Sequence, residues 1–227
     1  MRVASRVLVA GFGLLVAACG TPPVDPAQLL RDAKQSVDSA SALHFTLTSQ
    51  NVSGGSGPLI TGGDGDAKRP DGFAGSLRVV DSGFSVSVEV VSAGGTFYAR
   101  TPLSSTFDKT EPSKYGFGDP GKLLDPSNGL SSLLGVCSSP ANAAGDRLNS
   151  EQLAEVTCAI PGARVAALLT SADPSQAVQA TVGVDASSHQ LRRVVMVGPF
   201  FDKAHPSTFT VVLDKYGEAV SITPPAG

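Results

Sequence analysis

The chain has 227 residues, with 17 Lys and Arg against 20 Asp and Glu, a formal charge of −3. It carries no basic run, which removes the electrostatic basis for nucleic-acid binding or for attraction to anionic headgroups. With 25 Gly, 16 Pro and no Trp, the composition favours a turn-rich β domain over a helical bundle.

Arg2 and Arg6 flank the start of an apolar run from Val7 to Ala18. A helix of that length rises about 18 Å, well short of the roughly 30 Å hydrocarbon core, so the run suits the h-region of a signal peptide. Val16-Ala17-Ala18-Cys19 then has the form of a bacterial lipobox. Residues 1–18 are expected to be removed, and Cys19 to carry diacylglyceryl and N-acyl groups. Two or three acyl chains at ~0.8 kcal/mol per buried CH₂ hold a protein on a bilayer, where one chain is marginal. Residues 19–26, CGTPPVDP, form the tether, and 27–227 a single domain. Loss of Arg2 and Arg6 leaves 15 basic against 20 acidic residues, a charge of −5. The expected location is the cell envelope, on the outer face of the cytoplasmic membrane, with a monomeric domain in the periplasm.

Asp25-Pro26 opens a helix as N-cap and first helical residue. Leu29, Leu30, Ala33, Val37 and Ala40 recur at helical spacing on one face. Extended segments follow: LHFTLTSQ, a Gly-rich stretch 54–73 read as two turns around a weak strand, GSLRVV, GFSVSVEVV and TFYAR. The clearest alternation puts Phe84, Val86, Val88 and Val90 on one face and Ser85, Ser87 and Glu89 on the other, the pattern of a half-buried antiparallel meander. DPGKLLDPSNGLSSLLG holds two Asp-Pro starts, at Asp119 and Asp125, each followed by short, leucine-rich turns. LAEVTCAI resumes strand, PGARVAALL is a short helix, and ATVGVD, QLRRVVMVG and TFTVVLDKYG are three closing strands. The fold class is α+β: a curved antiparallel half-barrel sheet, with the N-terminal helix and short apolar helices over its concave face.

In an oxidising compartment Cys137 and Cys158 are an even pair, so a disulfide is expected; two cysteines without nearby histidine make a poor zinc site. No metal site, catalytic constellation or cofactor is expected. Gly116–Lys122, GFGDPGK, fits the start of a phosphate loop. Leu123 stands where Ser or Thr must meet Mg²⁺, however, and no buried strand precedes it. Ser56 in GGSGP lacks the spacing of a nucleophile elbow. His44 reads as a structural histidine rather than a headgroup ligand, His189 and His205 as exposed, and Glu89 as solvated. Lys109, Lys114 and Tyr115 sit in a polar loop that is a candidate rim.

The lipobox at Cys19, SALHFTLT after the first helix, GGTFYA closing a hairpin, DPGKLLDPSNGLSSLL in the middle, and HQLRRVVM with FTVVLDKYGEAVSITPP at the end occur in an order that resembles the actinobacterial LprG/LppX lipoproteins. Their fold is akin to the carriers LolA and LolB. The resemblance spans nearly the whole mature chain and implies a carrier of envelope lipids, glycolipid or triacylglycerol, in some members paired with a membrane transporter. The alternative from a different class is an accessory or scaffold lipoprotein with a filled core. A sixteen-carbon chain exposed to water costs about 12 kcal/mol, so a carrier needs a dry pocket free of unpaired charge. Leu77, Val79, Val86, Val88 and Val90 on the inward faces, with Leu123, Leu124, Leu130, Leu133 and Leu134 above them, are the candidate lining. By themselves these residues suit a filled core equally well; the resemblance reads them as cavity walls.

Overall fold

The computed structural model describes residues 24–52, 57–202 and 204–226; residues 1–18, expected to be a signal peptide, with Cys19 and Ser56, lie outside them. Helix α1 (Pro26–Ser39) starts on its cap, the Asp25 carboxylate accepting from the Ala27 N–H at 3.1 Å, with Pro26 in the first turn where no donor is needed. Leu29, Leu30, Ala33 and Val37 form its buried stripe. No helix among the described residues is long and apolar enough to cross a membrane.

The rest is one large antiparallel sheet of two meanders. The first comprises β1 (Ala42–Gln50), β2 (Leu59–Lys68), β3 (Gly72–Asp81), β4 (Phe84–Ala93), β5 (Thr96–Arg100) and β6 (Asp108–Lys109). The second comprises β7 (Ser138–Asn142), β8 (Asp146–Leu148), β9 (Glu151–Ile160), β10 (Val178–Asp185), β11 (Leu191–Gly198) and β12 (Ser207–Asp214). The spatial order is β6-β5-β4-β3-β2-β1-β12-β11-β10-β9-β7, with β8 also on β9, so the pairing of β1 with β12 joins the two halves. Short helices α2 (Leu130–Leu134) and α3 (Gly162–Ala166) interrupt it and, with α1, cover one face. Phe45, Leu47, Leu77, Val88, Val156, Val182, Val194, Val211 and Leu213 alternate inward and are buried, as a sheet with one covered face requires.

The Gly-rich stretch departs from its sequence reading. Leu59–Lys68 is a full ten-residue strand, with a bulge between Ile60 and Gly62. Its glycines serve close approach rather than turning: a Cβ on Gly65 would lie 2.6 Å from the Ala74 carbonyl oxygen, and one on the facing Gly75 2.2 Å from that of Asp64. Removing side chains there lets the two strands bend tightly. Strands β7 and β8, polar and short, had no signal in the sequence pattern.

Antiparallel order fixes what lies at each end of the sheet. The turns at 69–71, 94–95 and 186–190 share one end; the β3–β4 turn, the 101–107 loop and the 199–206 connection share the other. Val24, in the segment expected to be the tether, lies at the first end, where Asn142 Nδ2 donates to its carbonyl at 3.0 Å and it borders Leu153 and Ala186. At that end, too, the Asp185 carboxylate closes the β10–β11 turn, accepting from the backbone N–H groups of Ser188 (2.6 Å) and Ser187 (3.1 Å) and from Ser187 Oγ (2.7 Å). These donors hold its pKa down at about 2.

Candidate functional site

Between the concave face and its cover lies a cavity of about 90 Å³. The sheet contributes Phe45, Leu47, Ile60, Phe73, Leu77, Met196 and Val211; the cover contributes Phe117, Leu123, Leu130 and Leu133 from one segment and Val165, Leu168 and Leu169 from another. Asp119 is the ionisable residue on the wall, and Oδ1 of its carboxylate is occupied, accepting from Ser92 Oγ at 2.8 Å and from the Gly121 N–H at 2.9 Å. The space is therefore apolar and presents no unpaired charge, a chemistry that suits hydrocarbon and little else.

The cover is fastened from several sides. Asp119 caps the one-turn helix Pro120–Lys122, and Asp125 accepts from the Ser127 and Asn128 N–H groups at 2.8 and 2.9 Å, so both Asp-Pro starts cap turns rather than long helices. The same donors lower the Asp125 pKa from the ordinary carboxylate range. Beneath α1, Ser131 Oγ donates to Asp38 at 2.6 Å, Lys34 pairs with Asp38 at 2.5 Å, and Lys34 reaches the Pro126 carbonyl at 3.3 Å. The two cover segments meet along a seam where the Gly118 N–H donates to the Leu168 carbonyl at 3.1 Å and Arg164 donates to the Ser127 carbonyl at 2.8 Å. Gly118 has to be glycine for that approach, since a Cβ would sit 2.6 Å from the Ala167 carbonyl oxygen. Just past α2, the Cys137–Cys158 disulfide ties the cover to β9. The phosphate-loop look-alike Gly116–Lys122 is part of this cover.

Of the residues expected to line a cavity, Leu77, Leu123, Leu130 and Leu133 do so. Val79, Val88, Val90, Leu124 and Leu134 are buried on the same layers but pack into the surrounding core instead. Val86 is 39% exposed and does not border this cavity: the β3–β4 hairpin runs on past the cover, which leaves its last inward residues bare. Phe45, Leu47, Ile60, Phe73, Met196 and Val211 were missed, although the alternation of LHFTLT marks Phe45 and Leu47 as inward. Val165, Leu168 and Leu169 were missed because a short apolar helix does not announce which surface it covers.

The polar candidates stay away from the cavity. His44 lies on the convex face with Nδ1 2.8 Å from Asp66, a structural pair. His189 faces Asp32 at 3.3 Å and His205 faces Asp202 at 2.7 Å. Glu89 is ion-paired with Arg100, which also stacks over Phe107 at 4.7 Å. Lys109 and Lys114 are exposed, while Tyr115 packs on Phe97 and on the wall residue Phe117, with ring centroids 6.3 Å apart in both pairs. No three metal-ligating side chains converge among the described residues.

Known proteins carry the same architecture. The chain is 23% identical over 99% of its length, and 95% of the relative's, to proteins named lipoarabinomannan carrier protein LprG from Mycobacterium bovis and Mycobacterium tuberculosis. The crystal structure of LprF from Mycobacterium bovis superposes with a TM-score of 0.73 at 21% identity, covering 92% of this chain and all of that one. The lipoprotein LppX of Mycobacterium tuberculosis gives 0.61 at 17% identity, over 87% and 97%. With the LppX_LprAFG lipoprotein model matching residues 25–222, this chain belongs to that family.

Proposed function

We propose that the chain is a lipid carrier, held by an acylated Cys19 at the outer face of the cytoplasmic membrane, that shields the acyl chains of an envelope lipid in transit through the periplasm. The observation that carries this reading is the apolar cavity under a cover made of separate fastened segments. A filled core has no use for a dry space walled by Leu77, Leu123, Leu130 and Leu133, and a hydrolase requires a nucleophile and base facing it. The carrier name of the LprG relatives supports the same reading. Chains enter as the cover lifts from the sheet. The headgroup, which the walls cannot satisfy, stays outside.

The test is native mass spectrometry of the protein purified from the cells that make it. A lipid-sized adduct, removed by organic solvent, is expected; its consistent absence refutes the carrier. The small volume of the cavity favours one other reading, an accessory lipoprotein that binds a transporter or cell-wall partner through its surface. That reading predicts no adduct and no stabilisation by added lipid.

A further inference from the structure

At the end of the sheet opposite the tether, three large apolar side chains stand in water: Phe84 at 75% exposure, Val86 at 39% and Leu103 at 100%. Phe84 and Val86 begin β4, at the tip of the β3–β4 hairpin; Leu103 lies in the 101–107 loop, which leaves β5 beside that hairpin. Segments 82–87 and 101–107 lack any charged residue; the exposed Asp81, cross-strand partner of Phe84, adjoins the first. Phe84 and Val86 share the inward parity of Val88, so they continue the concave face beyond its cover. Val86 pairs with Val79, and Val79 with Ile60, which lines the cavity. An unbroken apolar path therefore runs from the exposed tip to the cavity wall.

We propose that this rim inserts into the interfacial region of a lipid bilayer and brings the mouth of the cavity against the acyl chains. The proposal rests on the carrier reading for its purpose. A bilayer is the occupant because the rim carries no basic residue and one carboxylate, Asp81 beside Phe84, which can stay at headgroup level, and because its apolar surface is continuous with the cavity; a protein contact has no need of that continuity. Since the tether enters at the far end, the rim is a membrane contact separate from the Cys19 anchor. Its binding to a neutral bilayer is driven by apolar burial, is insensitive to salt and gains nothing from anionic lipid.

The chain has no tryptophan, so Phe84→Trp places the sole indole on the rim. In full-length protein mixed with neutral phosphatidylcholine vesicles, its emission is expected to shift to the blue and to be quenched by lipids brominated on their tails, at low and high salt alike. Ser150→Trp, exposed at the tether end, is expected to show neither effect. The triple change Phe84→Ser, Val86→Ser, Leu103→Ser should leave the amount of bound lipid unchanged and slow its transfer between vesicles about tenfold or more. An unshifted, unquenched indole at position 84, equal quenching at both positions, or wild-type transfer by the triple variant each overturns the proposal. An indole at position 84 that inserts, in a protein from which native mass spectrometry never recovers a lipid adduct, sinks the carrier reading and leaves the rim standing.

Discussion

Leu133 is 2% exposed and borders the cavity; Leu213 is fully buried against the same concave face and does not border it. Leu133→Ala and Leu213→Ala remove the same atoms, so their difference isolates the cavity. Three lost carbons at ~0.8 kcal/mol each give about 2 kcal/mol. The vacated space adds ~24 cal/mol per Å³ wherever the surroundings fail to close over it. Near Leu133 they are hindered from closing, because Ser131 is held by Asp38 and the disulfide follows at Cys137. Both variants should therefore lose about 4 kcal/mol, lowering Tm by roughly 8–16 °C for a domain of this size. Ligand separates them. Lipid at a hundred times its Kd stabilises the wild type by ~2.7 kcal/mol. Leu133→Ala enlarges the site itself and should gain more than that, while Leu213→Ala should gain only the wild-type increment. The assay is thermal unfolding by circular dichroism with and without a micellar fatty acid or diacylglycerol. Equal lipid-induced shifts in the two variants, or none in any protein, refute the placement of the site.

Three further outcomes follow from the geometry. Asp185 has its pKa lowered from 3.8 to about 2, so its contribution is present above pH 3.8 and disappears as pH falls through 2. Asp185→Asn should cost about 2 kcal/mol at pH 7 and flatten the stability profile between pH 4 and 2, measured by urea denaturation. Replacing Cys137 and Cys158 together by Ala should cost about 3 kcal/mol and free the end of the cover, and the wild type should lose that much on reduction. Ser131→Ala removes the hydrogen bond from α2 to Asp38, at a cost of about 1–2 kcal/mol; it should raise the dissociation rate of a fluorescent fatty acid several-fold, read by stopped flow.

The sheet and the first helix were legible in the sequence because each is written in a local code. Asp25-Pro26 is a cap with a proline in the first turn, and Phe84 to Val90 alternate with the period of a pleat. Gly62, Gly63 and Gly65 misled for a physical reason: glycine marks both turns and tight cross-strand approaches, and only the facing Gly75 distinguishes the two. The cavity was legible in part. Leucine enrichment located the cover, but which leucines face the void depends on how two short segments settle on a curved surface. Val86 was misplaced because alternation reports which face a residue is on, not where the cover stops. The seam between Gly118 and Leu168 joins residues some fifty positions apart, and no local pattern encodes it.

The small size of the cavity, which the accessory reading uses, is also what the proposed carrier would show between loads. A pocket of ~300 Å³, the low end for a small-molecule site, held empty and dry would cost about 7 kcal/mol at ~24 cal/mol per Å³. That rivals the 5–15 kcal/mol by which a whole domain is stable. A carrier that survives unloading therefore has to shrink its site between loads, and it does so most cheaply by letting the cover settle onto the sheet. The sheet's long ladders of backbone hydrogen bonds resist that movement, while the cover is held by a few side-chain contacts, one backbone bond at Gly118 and the Cys137–Cys158 tie. The proposed carrier requires those fastenings to close an empty molecule and to yield to a chain worth about 12 kcal/mol in burial. On this account cavity volume and bound lipid rise together. Cross-linking the seam at its other contact, with Arg164→Cys and Ser127→Cys joined by a short, reducible bifunctional thiol reagent, should then abolish lipid uptake and leave the fold intact, and release of the cross-link should restore it. Uptake by the cross-linked protein at the wild-type rate would show that the chains enter by another route.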